Sequence, residues 1–387
     1  MGRAVAVIGT GQTKHGRRDD LSYPDMIREA VKAALDDAGI TPRDIDAVVF
    51  GSMPSMMEGV ALNHLYFAEA LRAVGKPLLR SETCGSTGQS IAHTGIYWVA
   101  SGMADIVLVV GSEKQHEGDA QATMMTIPEP FLVRIVGGAP AVFSMQAREY
   151  MGHFKVDEQK AREAAAIISV DCHNGGFLNP YAHIKVQVTK EDVMRARIIT
   201  YPVRLWDVCP SSDGACAVIL SSEKKAKKIC KKPAWIKGMG FRGEEYFSGD
   251  SSKAVWRSAI EAAREAYRQA GITDPRREID VAEVYNPFTY QELVLLECLG
   301  FCPHGEASDY VIRGTFSPGG ELPCNPSGGV LCTNPIGAAG LIRLAEAAMQ
   351  VMGKAGPHQV EGAKVAFSHA MGGAEQFNAV TIVASEL

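Results

Sequence analysis

The chain has 387 residues, 46% of them hydrophobic and 21% charged, with a net charge of −5. This length and composition supply one large core or two medium ones, exclude a disordered chain, and give no attraction for nucleic acid or an anionic membrane. No stretch approaches the ~20 apolar residues of a membrane helix. The opening MGRAVAVIGTGQTKHG is too short in its apolar part for a secretory signal and reads as a strand and turn. Its GTGQTKHG lacks the third glycine of a dinucleotide fingerprint, which argues against NAD.

Next comes an amphipathic helix, PDMIREAVKAALDDAGI, then a polar turn and the strand of TPRDIDAVVFG, together spanning 24–51. Apolar residues at i, i+3, i+4 and i+7 give the helix one buried face, and Gly39 suits its C-terminus. A methionine cluster at 52–59 fits an acyl pocket, a dimer contact or loose core packing. KPLLR reads as a strand approaching TCGSTGQSIAHTGIYWVASG, a turn and buried helix, and ADIVLVVGSE follows as a strand. Residues 114–200 read as an insertion, with Met124, Met125, Phe131 and Leu132 and then a helical stretch at 157–173. The strand GACAVILSS closes this half, and SSEKKAKKICKKP at 221–233 marks the junction. Its lysines suit a coenzyme A phosphate but fit a solvated helix face more simply.

The order then repeats. KAVWRSAIEAAREAYRQAGI passes through Ala-Gly-Ile and a polar turn to Ile-Asp and a short strand ending VAEVYN. TNPIGAAGLIRLAEAAMQVMG matches the first turn and buried helix, AKVAFSHAMGG the strand after it, and NAVTIVASE the late strand. Matches in the same order predict a duplication, dividing the chain into 1–225 and 226–387. Alternating helices and short strands predict an α/β architecture with mixed sheets covered by helices. Nine cysteines without a CxxC pair argue against a disulfide framework and a zinc site, and for a reducing cytoplasm.

Cys84 lies in SETCGSTGQS, where Gly85 and Gly88 allow a sharp turn just before a helix. The helix dipole and unpaired N–H groups there favour thiolate, the form that attacks a carbonyl. Pseudo-symmetry would bring the turn NPSGGVLCTNPIGAAG opposite it, with the strand ends carrying Tyr285-Asn286-Pro287-Phe288 and Ser368-His369-Ala370-Met371-Gly372-Gly373. Cysteine, histidine and asparagine would then share one pocket, with backbone N–H groups as an oxyanion hole. His116 is a possible second base but reads more simply as a loop histidine, and His93 as a packed core residue. His173 and His183 flank NGGFLNPYA and receive no role.

These motifs together resemble the thiolase superfamily over essentially the whole chain. TCGSTGQS is similar to the family's nucleophile turn. PVRLWDVCPSSDGACAVIL, with Asp213-Gly214-Ala215, resembles the end of the first half in sterol-carrier-type and archaeal thiolases. NPSGGVLCTNPIGAAG resembles the glycine-rich turn that usually reads Gly-His-Pro, and SHAMGG the C-terminal catalytic loop. The resemblance implies a five-layered αβαβα fold of two like halves, with a loop insertion in the first.

The resemblance also implies a coenzyme A-dependent acyltransferase that cleaves a 3-oxoacyl-CoA or runs the reverse Claisen condensation through acyl-Cys84. Three departures stand out. Asn334 replaces the Gly-His-Pro histidine, and asparagine donates to a thioester oxygen but cannot act as a base. Tyr285 stands where Asn or His is usual, with Asn286 one residue away. His369 stands where well-known thiolases use a second cysteine. Proton transfer therefore falls to His369, with Asn334 and a water on Tyr285 or Asn286 holding the enolate. The N–H groups of Cys84 and of the Gly372–Gly373 turn would hold the oxyanion.

By the same resemblance a homodimer and a small OB-fold, zinc-ribbon partner subunit are expected, with no metal in this chain. The departures are similar to those of thiolases that convert benzoylsuccinyl-CoA to benzoyl-CoA and succinyl-CoA. A ketoacyl-synthase-like condensing enzyme and an inactive thiolase-like binding subunit are the competing readings.

Overall fold

The computed structural model describes residues 2–53, 57, 60–124, 137–246 and 251–387. After β1 (Val5–Gln12) comes α1 (Tyr23–Ala38), where the Ser22 side chain accepts from the Asp25 N–H and Gly39 ends the helix at φ 67°. Then follow β2 (Ala47–Gly51), β3 (Leu78–Arg80), α2 (Thr87–Ser101) and β4 (Ile106–Lys114). Residues 114–200, expected as an insertion, hold α3 (Ala139–Phe154) and α4 (Glu158–Leu178), the second longer than its sequence pattern indicated. A ribbon of Ile198–Thr200 and Val203–Arg204 leads to β5 (Asp213–Ser222).

The second half contains β6 (Ala234–Gly243), α5 (Arg257–Ala270), β7 (Val281–Glu283), α6 (Thr289–Cys298), α7 (Ile336–Met352), β8 (Val365–Gly372) and β9 (Phe377–Ala384). Gly271 ends α5 at φ 74°, as Gly39 ends α1. Strand β6 has no signal in the sequence pattern: AWIKGMGFRG is interrupted by glycines, and only its pairing with β9 defines it as a strand.

The sheet runs β3-β2-β4-β5-β1-β6-β9-β8-β7. On one side β1 and β5 pair antiparallel, as do β5 and β4, while β4 and β2 are parallel. On the other side β6–β9 and β9–β8 are antiparallel and β8–β7 parallel. The same pairing order on both sides is the duplication in three dimensions. The halves join through two residue pairs, Ala6–Trp235 and Val7–Ala234.

Three apolar clusters define the layers. Helix α1 covers one face of the first half-sheet through Met26, Ile27 and Val31 against Ile8, Val48 and Leu108. Between the half-sheets lie α2 and α7, with Ile91, Ile96, Leu341 and Leu344 packed against Val107 and Val109 on one side and Val281 and Ala366 on the other. Helices α5 and α6 cover the far face. This is the αβαβα arrangement, with two buried helices at its centre.

Met53 and Met57 are buried, whereas Met56, Met125, Phe131, Leu132 and the side chain of Met124 lie outside the described residues. The lysine run forms a short helix, Glu223–Ile229, with its lysines exposed and Lys227 paired to Glu223 at 2.5 Å. Among the described residues no helix is long and apolar enough to cross a membrane.

Candidate active site

The turn before α2, the end of β8, the segment after β7 and the turn before α7 meet around one cavity of about 140 Å³. Its wall includes Cys84, Tyr285, Asn334, Gly372 and Gly373, together with Cys209. Cys84 is half-buried and itself takes a left-handed backbone, φ 55°. The Thr87 N–H bonds its carbonyl at 3.0 Å, and the Thr83 N–H bonds the Thr87 hydroxyl at 2.9 Å, pinning the turn to the helix start.

The strain therefore sits on the cysteine, and its neighbouring glycines serve close approach. A Cβ on Gly85 would lie 2.5 Å from the Met371 carbonyl and 2.6 Å from the Tyr285 hydroxyl. One on Gly372 would lie 2.1 Å from the Thr83 carbonyl. Gly88 is inside α2, where a Cβ would meet the Leu341 nitrogen of α7 at 2.0 Å.

The dry surroundings push the Cys84 thiol up from its ordinary value, and the carboxylates of Glu82 and Glu113 add to that. The backbone N–H groups of Gly373 and Gly85 bond the sulfur and oppose the shift. The net direction is upward, so the resting side chain is a thiol, contrary to the thiolate expected from the helix dipole alone. A base is needed when it attacks.

His369 is not at hand to serve. It is fully buried within β8 and is absent from the cavity wall. Its Nε2 lies 2.9 Å from the Asn378 Oδ1, and its Nδ1 accepts the Tyr285 N–H at 3.4 Å. Asn378 spends its amide N–H groups on Ser258 and the Glu375 carbonyl, so its oxygen faces the imidazole and accepts from Nε2. Both ring nitrogens are thus engaged, and burial lowers this histidine to about 4. The expected catalytic base is a neutral ring behind Tyr285, holding that residue's backbone.

Asn286 also faces away. Its amide nitrogen donates to Glu292 at 2.7 Å and its oxygen accepts from the Val330 N–H at 2.8 Å. Tyr285 is the one of the pair at the cavity, with burial, and then the sulfurs of Cys84 and Cys209, raising its phenol well above 10. Asn334 is held by its carbonyl, which accepts from Gln115 Nε2 at 2.6 Å, and by its N–H, which donates to Ser212 at 3.1 Å. Its Nδ2 donates to the Cys209 sulfur at 3.2 Å.

Cys209 is the residue that sequence reasoning missed. Its N–H donates to the Pro287 carbonyl at 2.9 Å, tying the VCPSSDG segment to the YNPF segment. The available signal was its place four residues before Asp213. That aspartate receives the His116 N–H at 3.0 Å and the Arg18 N–H at 2.9 Å. Gly214 leaves room for His15, whose Nδ1 would be 1.9 Å from an added Cβ. The signature is thus a loop anchor whose upstream cysteine reaches the cavity.

Four further histidines are held by bonds away from the cavity: His93 to Thr381 at 2.9 Å, His183 to Ser212 at 2.9 Å, His173 to the Ser169 carbonyl at 2.7 Å and His116 to Asp213 at 3.0 Å. Among the described residues no lysine, arginine, aspartate, glutamate or histidine lines the cavity, and no cluster of His, Cys, Asp or Glu is placed to hold a metal ion. The lysine run borders a separate surface depression. The cavity wall is mainly Val142, Phe143, Val208, Phe288 and Ile336, with the two phenylalanine rings 4.5 Å apart.

Burial drives three core histidines down, His15 to about 3 and His93 and His369 to about 4, against 6.5 when free. At these rings the unfolded chain therefore binds more protons below pH 6.5 than the folded one, so their contribution to stability is lost as pH drops from about 6.5 toward 4. His358 acts in the opposite sense: against burial, its bond to Glu346 holds it above 6.5, and its contribution is lost as pH rises. His64, His173 and His183 are lowered too, while Glu292, which burial raises to about 8, acts with His358 in the opposite sense. The expected result is therefore read at one ring: between about pH 6.5 and 4.5 the Tm of His93→Gln should fall less than that of wild type. An equal fall in the two proteins would show that this ring is not held neutral.

Residues 5–133 match the family model described as Thiolase, N-terminal domain, and residues 244–385 match Thiolase C-terminal domain-like. An acetyl-CoA acetyltransferase of Methanothermobacter thermautotrophicus is 34% identical over 377 residues, covering 96% of this chain and 97% of that protein. The benzoylsuccinyl-CoA thiolase subunit BbsB of Thauera aromatica is 29% identical over 379 residues, covering 96% and 95%. Among solved structures, the Ltp2-ChsH2(DUF35) aldolase superposes with a TM-score of 0.86 at 25% identity, covering 100% of this chain and 99% of the other. On these matches, and on the duplicated fold beneath them, the chain belongs to the thiolase family.

Proposed function

We propose that the protein is a coenzyme A-dependent acyltransferase that cleaves a 3-oxoacyl-CoA with CoA, or makes one by the reverse condensation, through an acyl-Cys84 intermediate. The observation that carries this reading is the Cys84 turn: a strained thiol at the head of a buried helix, its sulfur met by the N–H groups of Gly373 and Gly85. In cleavage, Cys84 attacks the 3-oxo carbon and the carbon–carbon bond breaks. The Cys84 and Gly373 N–H groups hold the acyl oxyanion, each such donor being worth roughly 3–4 kcal/mol of barrier. The Tyr285 hydroxyl and the Asn334 amide hold the departing enolate oxygen.

The described wall fits the end of a thioester substrate, apolar around the acyl group with amides at Gln115 and Asn334. A cavity of about 140 Å³ suits a single aromatic ring or a short branched chain, since a sealed apolar cavity of about 150 Å³ takes up benzene. A succinyl carboxylate finds no counter-charge among the described lining residues. We therefore expect intact-protein mass after mixing with an acyl-CoA panel to show benzoyl or isobutyryl adducts on Cys84 in preference to succinyl. This is compatible with benzoylsuccinyl-CoA cleavage, in which benzoyl is the group retained. No adduct from any thioester, with and without a co-purified small subunit, would leave the inactive binding subunit if cleavage is absent too, and cleavage without an acyl-enzyme if it is present. Adducts without CoA-driven cleavage would favour the condensing enzyme.

The similarity to an aldolase supports a second reading, in which carbon–carbon cleavage proceeds without an acyl-enzyme. The name of that structure joins two components, which supports a small partner here, with an OB fold and zinc ribbon by family resemblance. A homodimer, the halves 1–225 and 226–387, and a cytoplasmic setting complete the proposal. Free thiols at all nine cysteines accord with that setting.

A further inference from the structure

The titratable side chains among the described cavity residues are Cys84, Cys209 and Tyr285. Thiolytic cleavage needs a group that takes the nucleophile's proton and returns it to carbon, and the nucleophile cannot do both. Tyr285 lies against the turn backbone, its hydroxyl 2.6 Å from where a Gly85 Cβ would stand, which suits an oxygen-directed donor. Cys209 is placed differently. Its segment is fixed by its own N–H to the Pro287 carbonyl and by the Val208–Phe288 bridge. Its sulfur accepts the Asn334 Nδ2 at 3.2 Å, which leaves the S–H free to point elsewhere.

A second observation marks this corner as a site. Asn334 is 8% exposed and lines the cavity, yet its Oδ1 has no hydrogen-bond partner. A buried amide oxygen left unpaired is costly unless a ligand completes it. A thioester substrate's amide arm supplies such an N–H.

Resting on the thiolase reading above, we propose that Cys209 is the catalytic acid and base of this enzyme, exchanging a proton with the substrate's α-carbon while Asn334 supports its thiolate. In the first half-reaction the Cys209 S–H gives its proton to the departing α-carbon and takes up the Cys84 proton in one concerted relay as Cys84–S–acyl forms, so neither thiol has to ionise beforehand. The proton released by Cys84 restores Cys209, so no net proton is gained or lost. In the second, the CoA thiol attacks the acyl-Cys84 carbonyl and its proton passes through Cys209 to the Cys84 sulfur that leaves. Burial raises Cys209 to about 12, with the Asn334 bond opposing, so it rests as a thiol and is a proton donor at neutral pH.

The test compares wild type, Cys209→Ala, Cys209→Ser and Tyr285→Phe in two assays. One is deuterium exchange into the α-position of acetyl-CoA and propionyl-CoA in D2O. The other is acylation of Cys84, read by intact mass, which also reports folding. Cys209→Ala and Cys209→Ser should still form the Cys84 adduct but lose exchange by about 10²–10⁴-fold, the usual worth of a positioned acid/base. The kcat of cleavage should fall with KM little changed. Undiminished exchange in Cys209→Ala, or exchange lost in Tyr285→Phe alone, would overturn the proposal and leave Cys209 as wall. Wild-type protein with neither adduct nor exchange would sink the thiolase reading itself, and this inference with it.

Discussion

Replacing Cys84 with alanine should abolish the acyl adduct and cut cleavage of the accepted 3-oxoacyl-CoA by roughly 10⁴–10⁶-fold, the scale seen when a nucleophile is removed. Folding should be unaffected. Alanine meets the same steric conflict as cysteine at φ 55°, so the strain is unchanged by that swap. Cys84→Gly separates the two roles. Glycine removes a left-handed penalty of ~1–2 kcal/mol while adding ~0.5–1 kcal/mol of unfolded-chain entropy, so this inactive variant should be more stable by about 0.5–1 kcal/mol. A gain in Tm on losing the nucleophile would show that the turn stores strain for function. If cleavage survives in Cys84→Ala, the carbon–carbon bond is broken without an acyl-enzyme, and the aldolase reading replaces the thiolase one.

The fold was largely legible in the chain because each repeated unit carries its own local signal. The helices ending at Gly39 and Gly271 announce themselves by period and by a left-handed terminus. Strand β6 was not legible, because its stability comes from β9 beside it.

Placement at the cavity wall was legible where backbone and motif coincide, at Cys84, Asn334 and Gly373. It failed where the direction of a side chain decides. His369 has the right chemistry two residues from a cavity-lining position, but Asn378 and the Tyr285 N–H claim both its nitrogens. Tyr285 and Asn286 are adjacent, and only the packing of Asn286 against Glu292 and Val330 shows which one turns inward. Cys209 was hidden by a sound prior, since most cysteines in such a chain are small buried hydrophobes.

Gly88→Ala should be among the most damaging single-methyl changes at the described glycines, and its damage should reach the active site. Gly88 lies on α2 where that helix crosses α7. An added Cβ would stand 2.0 Å from the Leu341 nitrogen and 2.7 Å from the Gly340 carbonyl carbon. These are backbone atoms of a buried helix, so no side chain can rotate away, and the two central helices must separate. Overpacking of this kind costs about 1–3 kcal/mol or more, well beyond the ~1 kcal/mol that alanine gains over glycine in a helix.

Gly152 is the internal control. It lies within α3 with nothing within 4 Å of an added Cβ, so Gly152→Ala should raise the Tm by the same helix propensity. The separation forced by Gly88→Ala also has a direction. Cys84 precedes α2 and Asn334 precedes α7, so moving the helices apart moves the nucleophile away from the opposite wall of the cavity. A displacement of 1 Å there costs on the order of 10²-fold in rate. The expected result is a variant that still binds thioester when cooled to restore folding, yet acylates Cys84 far more slowly than wild type. Normal acylation together with a normal Tm would mean that the two buried helices are not the rigid frame holding the catalytic turns together.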